Sequence, residues 1–180
     1  MTVFETDRLI VRQWTESDAD VARVFDMLSR WEVARWLGAQ PRALETEAEA
    51  LGAIRRWRAR ASADGLHGIW AVDVRETGAT AGSVLVVPLP GVDNEPTTDV
   101  EVGWHLHPDS WGHGYATESA GAAIERVFAA GLPEIYAVIR EGNTRSAAVA
   151  QRLGMKPIGR QRRWYGGIEL DTYRRATSDG

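Results

Sequence analysis

The feature that most constrains the fold of this chain is the stretch of residues 100–131, which reads as a strand, a glycine turn and a helix. Residues 100–106 alternate in character, with apolar side chains at Val100, Val102, Trp104 and Leu106. This period of two is typical of a strand with one apolar face. Residues 116–128 instead repeat apolar side chains at helical spacing, and Gly131 follows them. The chain must therefore turn sharply between a strand and a helix.

Two glycines one residue apart, Gly112 and Gly114, occupy this turn. Glycine lets the backbone turn tightly and lets a ligand approach the chain closely. The first amides of a helix have no partner within it, so they donate outward at the positive end of the helix dipole, where a pyrophosphate binds well. The alternative is that the glycines serve the turn alone. The segment lacks the third glycine of the dinucleotide fingerprint and the Gly-Lys-Ser/Thr ending of the P-loop.

Two nearby segments carry a resemblance to a known family: Glu101-Val-Gly-Trp-His-Leu-His-Pro108 and Trp111-Gly-His-Gly-Tyr-Ala-Thr-Glu118. Together they resemble the acetyl-CoA-binding motif of the GNAT superfamily of N-acetyltransferases. The superfamily loop usually reads Gln/Arg-x-x-Gly-x-Gly/Ala, and here Trp111 takes the first place, followed by Gly114 and Ala116. A tryptophan there is typical of the branch that contains the ribosomal-protein-alanine N-terminal acetyltransferases.

Two further segments are similar to the same branch. Residues 5–20 resemble its first strand and helix. Asn143-Thr-Arg-Ser146 with Arg152-Leu-Gly-Met155 resembles its second motif on the coenzyme A side. The three matches occur in the right order and span most of the chain, so the chain is identified as a member of the GNAT superfamily on its sequence.

The remaining patterns interleave strands and helices. Further strands are predicted at residues 8–12, 68–74, 81–89, 135–139, 158–165 and 168–174, and further helices at residues 18–28, 29–37, 44–63 and 143–153. Gly166-Gly167 reads as a hairpin turn. This order predicts an α/β (α+β) fold with a mixed, mostly antiparallel sheet and helices on both faces. The resemblance implies the GNAT version, with six to seven strands, one domain over residues 1–180 and a splayed central strand pair that receives the pantetheine arm.

Composition limits location and chemistry. The chain has no cysteine, which excludes disulfides, thiolate metal sites and a cysteine nucleophile. No apolar run approaches the roughly 20 residues of a membrane span, and the N-terminus carries charges where a signal peptide needs an apolar core, so a cytoplasmic location away from membranes is expected. His105 and His107 have the spacing of a metal pair, but no third ligand is evident near them and no metal is predicted.

Charge is distributed unevenly along the chain. Residues 140–180 carry a net charge of +5, and residues 1–139 carry −9. A basic end favours the phosphates of a ligand such as coenzyme A or of RNA, and an acidic remainder favours a cationic amine. The alternative is two unevenly solvated surfaces. A nucleic-acid partner ranks below coenzyme A and is not expected.

The residues expected to bind acetyl-CoA, as a co-substrate, follow from the glycine turn and from the resemblance. The turn contributes Trp111, Gly112, His113, Gly114, Tyr115, Ala116 and Thr117. Strand amides near Leu106 would polarise the thioester carbonyl. Asn143 and Ser146 match positions that usually face the pantetheine arm in the family. Ser146, Tyr136 and Tyr165 are the hydroxyls available to protonate the leaving thiolate, although Ser146 also reads as an ordinary residue of a first helical turn.

A general base is needed because a primary amine is largely protonated at neutral pH. Glu101 is the predicted base, since alternation places it on the face opposite Val100 and Val102 and many GNAT enzymes carry a glutamate on this strand. The alternative is a half-exposed glutamate in a salt bridge. Glu118 is less favoured, because an acid in a first helical turn stabilises the helix dipole by itself.

The sequence therefore predicts an N-acetyltransferase that moves an acetyl group from acetyl-CoA to a primary amine by direct attack, with Glu101 and Ser146 as catalytic residues. The sequence does not decide whether the acceptor is a protein N-terminus or a small-molecule amine. It also leaves open whether the protein forms a homodimer. The resemblance places the first helices along the acceptor cleft, where Trp31, Trp36 and Trp57 would line it unless they pack in the core. The alternative function is a non-catalytic acyl-CoA-binding or interaction module of the same fold.

Overall fold

The computed structural model describes residues 1–179 of the chain. Numbered along the chain, its strands are β1 (Thr2–Glu5), β2 (Leu9–Gln13), β3 (Gly68–Val74), β4 (Thr80–Pro90), β5 (Pro96–Leu106), β6 (Glu134–Ile139), β7 (Lys156–Gln161) and β8 (Leu170–Ala176). Its α-helices are α1 (Asp18–Ser29), α2 (Trp31–Ala34), α3 (Glu47–Ala59), α4 (Tyr115–Ala129) and α5 (Thr144–Arg152). Within residues 1–179, no helix is both long and apolar enough to cross a bilayer.

All eight strands belong to one sheet, in the order β1-β2-β3-β4-β5-β6-β8-β7. Neighbouring strands are antiparallel except β5 and β6, which are parallel. These two central strands pair at a single position, Glu101 beside Tyr136. They therefore separate toward Leu106, and the gap between them opens beside the glycine turn that follows β5. The predicted mixed, mostly antiparallel sheet with a splayed central pair is confirmed.

Helices cover both faces of this sheet. The face that carries Trp70 and Val72 packs against α4, and apolar residues of α5 join the same cluster. The opposite face, which carries Ala71, packs against α1 and α3 together with Trp14. Trp70 and Ala71 lie in different clusters because successive side chains of a strand point to opposite faces. The predicted arrangement of helices on both faces is confirmed.

Local capping decides where two of the helices begin. The Thr46 hydroxyl accepts a hydrogen bond from the amide of Glu49 and caps α3. The helix therefore begins at Glu47, three residues later than predicted, and it ends at Ala59 instead of residue 63. Asn143 accepts one from the amide of Ser146 and starts α5 as the spacing predicted. The second predicted helix, at residues 29–37, is reduced to the single turn of α2.

Two expectations about the sheet need correction. The sheet has eight strands rather than six to seven, because β1 forms a separate strand that pairs with β2. The last two strands are joined by residues 162–169 and not by a two-residue turn at Gly166-Gly167. Trp164 lies buried in this connection, and its indole N–H donates to Asp99 Oδ2 at 2.9 Å. The longer connection lets Trp164 pack with Leu89 of β4 and Tyr136 of β6.

Candidate active site

The glycine turn after β5 presents free backbone donors to an open cleft. Gly112 and Gly114 have φ angles of +82° and +81°, in the left-handed region that favours glycine. Gly114 is the N-cap of α4 and has no side chain to cap the helix. The amides of residues 115–117 therefore have no acceptor among residues 1–179, and the positive end of the helix dipole is exposed with them.

The cleft beside this turn has a volume of about 1050 Å³. Every residue predicted to bind acetyl-CoA lines it: Leu106, Trp111, Gly112, His113, Gly114, Tyr115, Ala116, Thr117, Asn143 and Ser146. Three arginines that the sequence did not single out for this site also line it, Arg8, Arg145 and Arg152. Arg8 pairs with Glu118, whereas Arg145 and Arg152 have no carboxylate partner among residues 1–179. The positive charge of Arg145 and Arg152 adds to that of the free amides, so the cleft suits a phosphate-bearing ligand.

The turn is held in place by Glu118 and Arg8. Glu118 Oε2 lies 2.6 Å from the Arg8 guanidinium, and its Oε1 accepts from the Thr6 hydroxyl at 2.6 Å and from the Arg8 amide at 3.0 Å. Burial raises the pKa of Glu118, but these hydrogen bonds outweigh burial and lower it. Arg8 also donates to the carbonyl of His113 at 3.0 Å. Glu118 therefore anchors the turn as an ionised carboxylate and is a poor proton acceptor.

Backbone donors of β5 face the gap between the two central strands. The His107 amide, just after β5, donates to the carbonyl of Ala81 in β4 at 2.9 Å. Because consecutive amides of a strand point to opposite sides, the Leu106 amide points away from β4 and toward the gap. The Leu106 carbonyl accepts from the Trp111 indole at 3.0 Å, which ties the glycine turn to the end of β5. The expected strand donor near Leu106 thus has the geometry to reach a group in the gap.

A second cavity of about 450 Å³ lies on the other side of this gap. The residues that line both cavities are Trp36, Leu37, Trp104, His105, Asn143 and Ser146. Glu101 lines the second cavity only. The two cavities therefore meet where β5 and β6 separate, and Ser146 stands at the junction while Glu101 lies beyond it.

Glu101 is buried and bound to a tyrosine. The carboxylate accepts a hydrogen bond from the Tyr165 hydroxyl at 2.6 Å. Burial raises the pKa of Glu101 to about 7, and the hydrogen bond from Tyr165 acts in the opposite direction. The alternative of a half-exposed glutamate in a salt bridge is wrong, because Glu101 is 8% exposed and has no cation partner among residues 1–179.

Two other candidate groups differ in their access to the cavities: His105 lines both, and Tyr136 lines neither. His105 is buried beside Trp57, and neither of its ring nitrogens has a hydrogen-bond partner in residues 1–179. Burial lowers the pKa of His105 to about 4, so its ring is neutral. Tyr136 donates to Glu134 and lines neither cavity.

The three tryptophans predicted either to line an acceptor cleft or to pack in the core have different positions. Trp36 lines both cavities, and Trp57 lines the second cavity and packs against the buried cluster that contains Trp14. Trp31 is exposed and lines neither cavity. Within residues 1–179, no three His, Asp or Glu side chains gather as a metal site.

Comparison with known proteins agrees with this geometry. Residues 8–156 match the family model of the acetyltransferase (GNAT) domain. The chain belongs to the GNAT acetyltransferase family. It is 29% identical over 174 residues to YoaA of Bacillus subtilis (strain 168), described as an uncharacterized N-acetyltransferase, with 94% of this chain and 93% of that protein covered.

Solved structures share the fold of this GNAT protein. An acetyltransferase from Agrobacterium tumefaciens str. C58 has a TM-score of 0.74 at 26% identity, covering 97% of this chain and 94% of that chain. RimL, a ribosomal-protein alpha-N-acetyltransferase solved with coenzyme A, has a TM-score of 0.77 at 15% identity over 100% of both chains. At this identity the likeness to RimL shows a shared fold. The GNAT protein is an acetyl-CoA-dependent acyltransferase.

Proposed function

We propose that this GNAT protein transfers the acetyl group of acetyl-CoA to a primary amine in the cytoplasm, with Glu101 as the general base. The observation that carries the proposal is the junction of the two cavities at Trp104, His105, Asn143 and Ser146, with Glu101 beyond it. A thioester in the first cavity and an amine in the second would meet in the gap between β5 and β6. Holding both reactants in this way lowers the barrier by several kcal/mol, on the order of 7 for an ideal alignment.

The proposed reaction is a direct transfer. The amine nitrogen attacks the carbonyl carbon of the thioester, a C–N bond forms and the C–S bond breaks. Glu101 accepts the proton that the nitrogen loses, directly or through a water. The leaving thiolate takes a proton that the Ser146 hydroxyl relays from solvent in one concerted transfer, so that no serine alkoxide forms. The Leu106 amide would stabilise the negative charge that develops on the carbonyl oxygen.

The proton affinity of Glu101 suits a general base. A base works best when its pKa lies close to the operating pH, and burial brings the pKa of Glu101 to about 7. Its partner Tyr165 has a φ of +50°, a strained conformation for a tyrosine. Strain of this kind persists where the surroundings hold a residue in place, and here the hydroxyl reaches Glu101. We therefore assign Tyr165 as a positioning residue for Glu101.

Tyr165→Phe should move the pH profile of kcat/KM to higher pH. The hydrogen bond from Tyr165 lowers the pKa of Glu101, so its loss leaves more Glu101 protonated at neutral pH. We expect the rising limb to shift upward while the affinity for acetyl-CoA stays unchanged, because Tyr165 does not line the first cavity. Rates measured between about pH 5 and pH 9 test this. Tyr173→Phe, outside both cavities, is the control, and an unchanged profile in Tyr165→Phe would refute the assignment.

Ser146→Ala should lower kcat by about tenfold when acetyl-CoA is saturating. The effect is small for a proton donor because a thiol has a pKa of about 8.5 and leaves readily as the thiolate. Stopped-flow thiol release at saturating acetyl-CoA measures this step. Gln151→Ala is the matched control, since Gln151 is exposed on the same helix and lines neither cavity. Equal rates in both variants would leave Ser146 as a residue of the first helical turn only.

Calorimetric titration with acetyl-CoA, followed by thiol release in the same preparation, tests the function itself. The panel contains small primary amines and peptides with free N-termini, so the same experiment distinguishes the two acceptor classes. Binding with amine-dependent release supports an N-acetyltransferase. Tight binding without release for any amine supports the non-catalytic acyl-CoA-binding module. Failure to bind acetyl-CoA would overturn the assignment of the glycine turn.

A further inference from the structure

The second cavity is lined mainly by positive charges, whereas the negative net charge of residues 1–139 predicted a surface that attracts cations. Four arginines lie in its wall, Arg42, Arg56, Arg60 and Arg140. Among residues 1–179, Glu101 is the single carboxylate that lines it. Residues 1–139 carry a net charge of −9 and yet supply three of these arginines. Net charge therefore does not predict the sign of the cavity, and attraction of a second cation is not expected there.

Three of the four arginines have no carboxylate partner in the part of the chain that the structure describes. Arg42 is neutralised by Glu49, with Nη2 2.5 Å from Oε1. Arg56 and Arg60 are exposed at the C-terminal end of α3 and form no ion pair there. Arg140 donates to the carbonyls of residues 38 and 39 at 2.6 and 2.8 Å, and its Nε is buried without a partner. Backbone carbonyls satisfy these donors but do not cancel the guanidinium charge.

The charged groups are separated along the depth of the cavity. At the inner end, Glu101 and His105 are buried. His105 lies where the cavity meets the first one, and both of its ring nitrogens lack partners in residues 1–179. At the outer end, Arg56 and Arg60 are exposed. A ligand lying along this axis has a proton acceptor at its inner end and guanidinium groups at its outer end. Guanidinium groups bind carboxylates and phosphates in a bidentate manner.

We propose that the acceptor is a small primary amine that also carries an anionic group, a carboxylate or a phosphate. Its amine would lie at Glu101, with its anionic group at Arg56 and Arg60. The inference rests on the proposed function, because it takes the second cavity as the acceptor site. The volume of about 450 Å³ suits a small molecule. A diamine would instead place its second cation against the arginines.

Matched acceptors test the proposal directly. β-Alanine is compared with β-alaninamide, O-phosphoethanolamine with ethanolamine, and both pairs with 1,3-diaminopropane. We expect kcat/KM for the anionic member of at least one pair to exceed that of its neutral partner at least tenfold, with the diamine lowest. The pair that shows the preference identifies the anion as carboxylate or phosphate. The preference should shrink as salt rises, because exposed guanidinium groups are screened.

The double substitution Arg56→Gln/Arg60→Gln assigns the preference to this surface. We expect it to lower kcat/KM for the preferred anionic amine at least tenfold, while kcat/KM for the neutral partner and the affinity for acetyl-CoA stay unchanged. Arg58→Gln is the matched control, because Arg58 lies on the same helix, pairs with Glu16 and lines neither cavity. Equal kcat/KM within both pairs, or an unaltered preference in the double variant, would overturn the proposal and leave the proposed function intact.

Failure of the proposed function is detected separately. If none of the five amines is acetylated, the N-acetyltransferase assignment fails on this panel. Anion recognition is then judged by calorimetric titration of O-phosphoethanolamine and β-alanine into the protein saturated with coenzyme A. Binding that the double variant loses and Arg58→Gln keeps would retain the anionic ligand class. Binding that is absent, or equal in all variants, would overturn it.

Discussion

Gly114→Trp should weaken coenzyme A binding at least a hundredfold. A Cβ at this position lies 3.4 Å from the Arg8 guanidinium, so the indole would extend into the cleft where the free amides of α4 point. The left-handed φ of +81° adds strain of about 1–2 kcal/mol for any residue with a side chain. A phosphate group could then no longer approach the helix N-terminus. Isothermal titration with coenzyme A measures the loss.

A glycine of the same conformation outside the cleft separates the lost site from strain. Gly78 has a φ of +70°, and a Cβ added to it contacts nothing within 4 Å. Gly78→Trp therefore matches the strain but leaves the cleft open, and we expect normal coenzyme A affinity. Thermal unfolding of both variants checks that each remains folded. Normal coenzyme A affinity in Gly114→Trp would show that the glycine turn is a turn alone.

Glu101→Gln should lower kcat/KM by about a hundredfold or more, the usual contribution of a general base. The amide keeps the shape of the side chain and can still accept from the Tyr165 hydroxyl, but it cannot take a proton. Coenzyme A affinity should stay unchanged, because Glu101 does not line the first cavity. Steady-state rates with a responsive amine, together with calorimetric titration of coenzyme A, test both statements.

The pH dependence gives this substitution a second signature. With a pKa of about 7, Glu101 is protonated below neutrality and ionised above it, so kcat/KM of the unmodified enzyme should rise with pH up to about 7. Glu101→Gln should lose that inflection. Glu76→Gln, in an exposed turn outside both cavities, should keep it. An inflection near pH 7 that survives in Glu101→Gln would assign the base to another group.

The same substitution should stabilise the fold at alkaline pH. The raised pKa means that the folded protein holds the Glu101 proton more tightly than the unfolded chain does. The contribution of the protonated Glu101 side chain to stability is complete below pH 4.5 and is lost as pH rises through about 7. Glu101→Gln avoids that loss. We therefore expect the unfolding free energy of the variant, relative to that of the unmodified protein, to be about 2–3 kcal/mol more favourable at pH 8 than at pH 5. Urea unfolding at both pH values checks the sign.

Local sequence determined the parts of this protein that depend on neighbouring residues. The strand and helix around the glycine turn and the capping of α5 by Asn143 were predicted because alternation and capping are local properties. Ten of the residues that line the first cavity were also predicted, from the glycine turn and the family resemblance. The family motif covers these same segments. The fold class and the residues that gather around the first cavity therefore follow from local patterns and the family motif.

Contacts between distant segments were decided only by the tertiary structure. Tyr165 reaches Glu101 across 64 positions of the chain, and Arg8 reaches Glu118 across 110, with no local pattern that marks either pair. The near-neutral pKa of Glu101 follows from its burial, which alternation alone left open. Three of the four arginines in the wall of the second cavity come from residues 1–139, whose net charge is negative. Charge and proton affinity at a site depend on which groups the fold brings together and removes from water, and the sequence alone does not state that.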